Sequence, residues 1–319
     1  MLNTRNYPPS LHPDVRVRDT MAGAGRKVLK FHFQRMLQNE DGTRVGEDSE
    51  ALHDMRVATR RMRAAFRVFK PYYYEDDIEQ HRTGLKITGK ILGVVRDWDV
   101  LFEKTRVYVD SLTCAEKSDL QFLVESWSRE RETAREQLIV YLDGESYLEF
   151  KSAFSAFVNA PEDDLLDLHL KRALVCNDMP SLIYSRYERV LAHEENLQSP
   201  TVTQLHALRI DFKRLRYTVE FFRSSLGETA DYCIEELKHL QDYLGDLNDA
   251  RVAVLRIQQF LEDQDSSPVL KAAVGNFYRA KEAELSQFVA TFPQAWARFR
   301  QPEFLQKLDA AIKILRHPN

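Results

Sequence analysis

Five arginines crowd into twelve residues, 56 to 67, of a 319-residue chain whose formal net charge is −4, and His53 stands just ahead of them. Arginine is suited to holding oxyanions, because its planar fork donates two parallel hydrogen bonds and its charge persists at any physiological pH. Histidine adds a donor whose charge responds to pH. On a helix of 3.6 residues per turn, His53, Arg56, Arg60, Arg63 and Arg67 fall within an arc of roughly 80°, in rows about 5 to 6 Å apart. Met55, Ala58, Met62, Ala65, Phe66 and Phe69 occupy the opposite side, an apolar face fit for a bundle core. Like charges at these spacings cost an isolated helix a few tenths of a kcal/mol per pair. That is a local sacrifice which a bound anion would offset.

The same arrangement occurs twice. LHDMRVATRRMRAAFRVF at 52–69 recurs as LHALRIDFKRLRYTVEFF at 205–222, pairing His53 with His206, Arg56 with Arg209, Arg60 with Lys213, Arg61 with Arg214 and Arg63 with Arg216. Glu220 replaces Arg67, so the second stripe is shorter and should attract anions less strongly. LKITGKILGVVRDWDV at 85–100 recurs as LKHLQDYLGDLNDARV at 237–252. Two correlated blocks indicate a duplicated helical unit, with a period too long for a short-repeat solenoid.

The elements that position these residues read as helices throughout. Apolar periodicity predicts segments at about 20–38, 48–69, 75–93, 97–111, 115–142 and 144–159, then 168–194, 201–225, 228–244, 247–263, 267–292 and 302–315. Leu92-Gly93 and Leu244-Gly245 are expected to end helices, with Asp97 and Asn248 near the starts of the next. Residues 1–19 form an irregular lead-in broken by Pro8, Pro9 and Pro13. NAPEDD at 159–164 marks the boundary between a first half, 20–162, and a second, 163–319.

Composition narrows the function. Hydrophobic residues make up 44% and charged residues 29%, a globular balance with room for two cores. Cys114, Cys176 and Cys233 lack metal or disulfide spacing, which suits a reducing cytosol. No run of eighteen apolar residues exists, and the N-terminus lacks a signal-peptide core, so a soluble, non-secreted protein is expected.

Each stripe has bland alternatives. A basic face can simply be solvated and paired with carboxylates such as Asp97, Asp99, Asp246 and Asp249, but loss of spacing would then be tolerated in one copy. A nucleic-acid module would show Asn or Gln for base reading or aromatics interleaved with the arginines, and neither stripe does. His53-Asp54 could begin a metal-dependent phosphohydrolase site, yet the second copy reads His206-Ala207. No GxxxxGK[ST], GxSxG or HExxH signature occurs. A purely structural scaffold is the remaining alternative.

HxxRVxxRRxR at 53–63, HxxRIxxKRxR at 206–216, LGxxRDxDV at 92–100 and LGxLNDxxV at 244–252 together resemble the CHAD domain, the conserved histidine alpha-helical domain. The resemblance covers about residues 20 to 316 and is of a stand-alone form, without the triphosphate-tunnel domain found beside some relatives. It implies an all-α fold of two four-helix bundles related by approximate two-fold symmetry around a basic channel. It also implies non-catalytic binding of inorganic polyphosphate, in the cytoplasm or at polyphosphate granules, with no cofactor or metal. The contacts it implies are His53, Arg56, Arg60, Arg61, Arg63, His206, Arg209, Lys213, Arg214 and Arg216. Lys86 and Lys238, which match each other, and Arg35 and Arg189, at corresponding points of the first helices, extend the set.

Overall fold

The protein, described here by a computed structural model over residues 12–161, 173–263 and 268–316, is all-α. The first half runs α1 (Met21–Gln38), α2 (Glu40–Val45), α3 (Ser49–Phe69), α4 (Glu75–Asp110), α5 (Cys114–Asp143) and α6 (Glu145–Asn159). The second runs α7 (Val175–Leu191), α8 (Val202–Phe221), α9 (Arg223–Leu226), α10 (Thr229–Asp263), α11 (Pro268–Phe299) and α12 (Pro302–Arg316). Among the described residues the only β pairing is one isolated bridge, Thr20 with Leu174. The boundary expected at 162/163 and the expected helix start at 168 lie outside the described residues, as do 1–11 of the lead-in.

Each half closes a ring of four helices. α1 packs on α3, α3 on α4, α4 on α6 and α6 back on α1, while α7, α8, α10 and α12 make the corresponding circuit. The apolar faces opposite the two basic stripes, the second at the same spacing on its own helix, fill these rings. Met55, Ala58, Met62, Ala65, Phe66 and Phe69 are buried in one, and Leu208, Phe212, Leu215, Val219 and Phe222 in the other. Close approach is sometimes enforced by glycine: a β-carbon on Gly25 of α1 would sit 2.8 Å from Phe69 Cγ of α3.

Caps fix the starts of the two stripe helices. Asp48 accepts a hydrogen bond from the Glu50 amide at 2.8 Å ahead of α3. Thr201 and Gln204 form a reciprocal capping box ahead of α8.

Two expected breaks are absent. α4 is one helix of 36 residues and α10 one of 35, each about 50 Å long. Neither Gly93 nor Gly245 ends a helix, and Asp97 and Asn248 are mid-helix residues rather than caps. Glycine inside a helix costs about 1 kcal/mol relative to alanine, which the packing of flanking Leu92, Val95, Leu244 and Leu247, all buried, readily overrides. α11 similarly continues through Pro293 to Phe299 instead of stopping at 292. The distal part of each long helix pairs with α5 or α11, and α5 also packs on α11. Tyr108 stacks on Phe277 at 4.5 Å in that region.

The halves also meet at their beginnings. The Met21 amide donates to Ala173 O and the Val175 amide to Asp19 O. Val15 is fully buried, and Ser225 Oγ donates to its carbonyl at 2.8 Å. The described end of the lead-in is therefore irregular but packed. α3 and α8 touch directly, which brings the two basic stripes together.

Candidate functional site

Where α3 crosses α8, their cations line three successive cavities. The first in the row, central to the crossing itself, occupies about 540 Å³ and is bounded by His53, Arg56 and Arg60 of α3 and by His206, Arg209 and Lys213 of α8. Its remaining wall comes from the middle of α4 and α10: Arg96, Asp97, Val100 and Lys104 on one side, Gly245, Asn248, Asp249 and Val252 on the other. The second repeated motif is thus the wall facing the first. Continuous helices explain why: with no break at Gly93 or Gly245, the residues that follow keep helical phase and point into the cavity. A β-carbon on Gly245 would meet nothing within 4 Å, and one on Gly93 would lie 3.9 Å from Arg56 Nε.

A second cavity, about 400 Å³, lies beside the crossing. Arg60, Arg63, Arg67, Arg186, Arg209, Lys213 and Arg214 line it, with no carboxylate among the lining residues. A third, about 260 Å³, continues along α3 and α4 past Arg63, Arg67, Lys70, Arg82 and Lys86, with Glu79. Neighbouring cavities share side chains. Arg60, Arg209 and Lys213 belong to the first two, and Arg63 and Arg67 to the last two.

The charge density shows in the titration of the side chains. Burial, reinforced by Arg209, Arg60, Arg56 and Arg216, pushes Lys213 down to about 6. Burial and then Arg96 hold His53 below the ordinary histidine value. Arg56, Arg67, Arg186 and Arg209 are all lowered, chiefly by burial and then by neighbouring charges. The Nε groups of Arg60, Arg186 and Arg209 are buried and have no acceptor among the described residues. Leaving such donors unpaired costs about 1 to 3 kcal/mol each.

The central cavity is not purely basic. Asp97 Oδ1 lies 3.6 Å from Arg56 Nη2, and Lys104 Nζ donates to Asp249 Oδ2 at 3.5 Å. Burial raises Asp97 and Asp246 above the usual carboxylate range. The histidines differ: His206 Nδ1 lies 3.2 Å from Asn248 Oδ1, whereas His53 Nδ1 is buried without a partner among the described residues.

Nine of the expected contacts line this groove: His53, Arg56, Arg60, His206, Arg209 and Lys213 in the first cavity, Arg63 and Arg214 in the second, and Lys86 in the third. Five do not. Arg61 Nη2 donates to Glu220 Oε2 at 3.0 Å, and Arg216, only 8% exposed, places Nε 3.2 Å from Glu220 Oε1. Glu220, standing where the first copy has Arg67, draws both guanidinium groups onto itself. Lys238 is exposed outside the three cavities, Arg35 lies over the Phe31 ring, and Arg189 is 4.0 Å from Asp211.

Arg186, Arg96 and Lys104 are cations of the groove that the repeat did not flag. Arg186 corresponds to His32 in the first half, so matching the halves hides it, whereas Arg96 against Asn248 is a visible departure between the copies. Arg67 was visible in the α3 stripe by angle alone. Among the described residues no three His, Cys, Asp or Glu side chains gather as a metal site, and no helix is long and apolar enough to cross a membrane.

Comparison with known proteins gives a consistent picture. A family model described as the CHAD domain matches residues 27–258. PptA from Streptomyces chartreusis is structurally similar, with a TM-score of 0.70, 18% identity, and 88% of this chain and 98% of that chain covered. The CHAD domain from the plant Ricinus communis aligns with a TM-score of 0.64 and 21% identity over 97% of this chain and 96% of that one. No curated protein matches significantly.

Proposed function

The chain belongs to the CHAD-domain family, and from that premise we propose that it is a non-catalytic binder of inorganic polyphosphate, held along the groove at the α3–α8 crossing. The observation that carries this reading is the second cavity, lined by seven cationic side chains and no carboxylate, and joined to a cavity on either side by shared residues. A compact pocket would suit one phosphate or nucleotide. A row of connected basic cavities suits a linear polymer with a charge on every repeat, read without regard to sequence.

Binding such a polymer releases counterions, so affinity falls steeply with salt. The test is titration of polyphosphate, heparin and duplex DNA into wild type and into Arg56→Ala/Arg60→Ala/Arg209→Ala at several salt concentrations. Polyphosphate is expected to bind wild type most tightly and to displace DNA, with both affinity and salt slope falling in the triple variant. Wild-type affinity and slope in that variant would refute the assignment. Incubation with manganese or magnesium is expected to release no phosphate from bound polymer, and steady release would overturn the non-catalytic part.

A further inference from the structure

The crossing of α3 and α8 has two flanks, and they are not alike. On one flank, Arg63 and Arg67 continue the groove toward Lys86, and Arg186 of α7 faces them, as does Arg214 of α8, which Asp211 already pairs at 2.8 Å. None of Arg63, Arg67 and Lys86 makes an ion pair among the described residues. On the opposite flank the corresponding positions are Arg216, Glu220 and Lys238, with His32 in the place of Arg186. There Glu220 holds Arg216 and Arg61, His32 is buried at 3% exposure, and Lys238 lines none of the three cavities. One substitution in the repeat, arginine to glutamate, thus replaces an open basic flank by an internally neutralised one.

We propose that a bound polyanion leaves the crossing on one side only, over the α3–α4 flank, where Arg63, Arg67 and Lys86 form an outer subsite that engages long chains. This rests on the polyphosphate reading above and concerns the path of the chain. Lys70 and Arg82, which also border the outer cavity, contribute less because Glu75 pairs with both and Glu79 with Arg82. A short chain held at the crossing does not need the outer subsite. A long one does.

The experiment compares two double variants with wild type, using tripolyphosphate and long-chain polyphosphate at several salt concentrations. Arg67→Gln/Lys86→Gln alters two exposed residues of the open flank, and Arg61→Gln/Lys238→Gln alters the opposite flank. The first is expected to weaken long-chain binding about tenfold or more and to lower the salt slope by about 1.5 to 2, with a smaller loss for tripolyphosphate. The second leaves both ligands within about twofold of wild type. Lys86→Gln alone, a surface change with no packing consequence, is expected to reproduce the direction at about half the slope change. Equal losses on the two flanks, or undiminished long-chain binding in the first variant, would overturn the one-sided path. Failure of wild type to bind polyphosphate at all would instead overturn the proposed function.

Discussion

Glu220 of α8 and Arg61 of α3 face each other across the boundary between the halves, 3.0 Å apart, with Arg216 on the other carboxylate oxygen. Glu220→Gln is expected to act in opposite directions on stability and binding. Uncovering the buried Arg216 charge should destabilise the free protein by roughly 1 to 3 kcal/mol, the cost of leaving a buried donor poorly satisfied. The released cations should raise polyphosphate affinity and steepen its salt dependence. Thermal melting with and without polymer checks both signs.

Lys213, held at about 6, should give the proposed binding a pH dependence. A polyanion in the groove raises that value, so the complex takes up a proton and affinity increases as pH falls from 8 toward 6, levelling below. His53 and the raised Asp97 and Asp246 extend the same trend to lower pH. For folding, the sign follows from a native value below the lysine reference of 10.5. The unfolded chain binds the proton first, so stability without ligand is lost as pH falls from about 10 to 6. Lys213→Met should flatten the binding profile, weaken binding at pH 6 and stabilise the free protein by about 1 kcal/mol, as titration calorimetry and melting at several pH values can show.

Acid sensitivity should arise in the core beneath the groove rather than from its lining cations. His81, 3% exposed, packs its ring 4.7 Å from Phe157 and 5.4 Å from Phe154, and burial pushes it down to about 4. Because the native value lies below the unfolded one, stability is lost as pH falls from about 6.5 to 4, on the order of 2 to 3 kcal/mol. His81→Phe should remove most of that slope in denaturant titrations at pH 7 and pH 4.5. An unchanged slope would show that other groups, among them the buried and strongly lowered His32, dominate.

Helix contact at the α1–α3 seam tolerates no added volume. Gly25→Ala places a β-carbon 2.8 Å from Phe69 Cγ, so the variant should lose about 1 to 3 kcal/mol despite alanine's better helix propensity. Urea unfolding would measure it.

The sequence exposes most of this because one periodicity carries two messages. The apolar faces of α3 and α8 predicted the ring cores, and the polar faces predicted the central cavity. Helix angle also separates Arg60 from Arg61, about 100° apart on one helix, and only the former lines the groove. What angle could not supply was Glu220's reach across to Arg61, which depends on the distance between two helices more than 150 residues apart in the chain. Nor could local signals show that Gly93 and Gly245 lie within long helices. Leucine-glycine resembles a terminus until tertiary packing covers both sides of it. Arg186 escaped because its counterpart is a histidine, so a comparison of halves discards it.

Arg60, Arg209 and Lys213 are walls of two cavities at once. No cation among them is reserved for one particular phosphate, and shifting a repeating polymer by a single unit exchanges like contacts for like. On the proposed reading, such a guest would have no preferred register. It would creep lengthwise while remaining captured, leaving by its ends sooner than by lifting off whole.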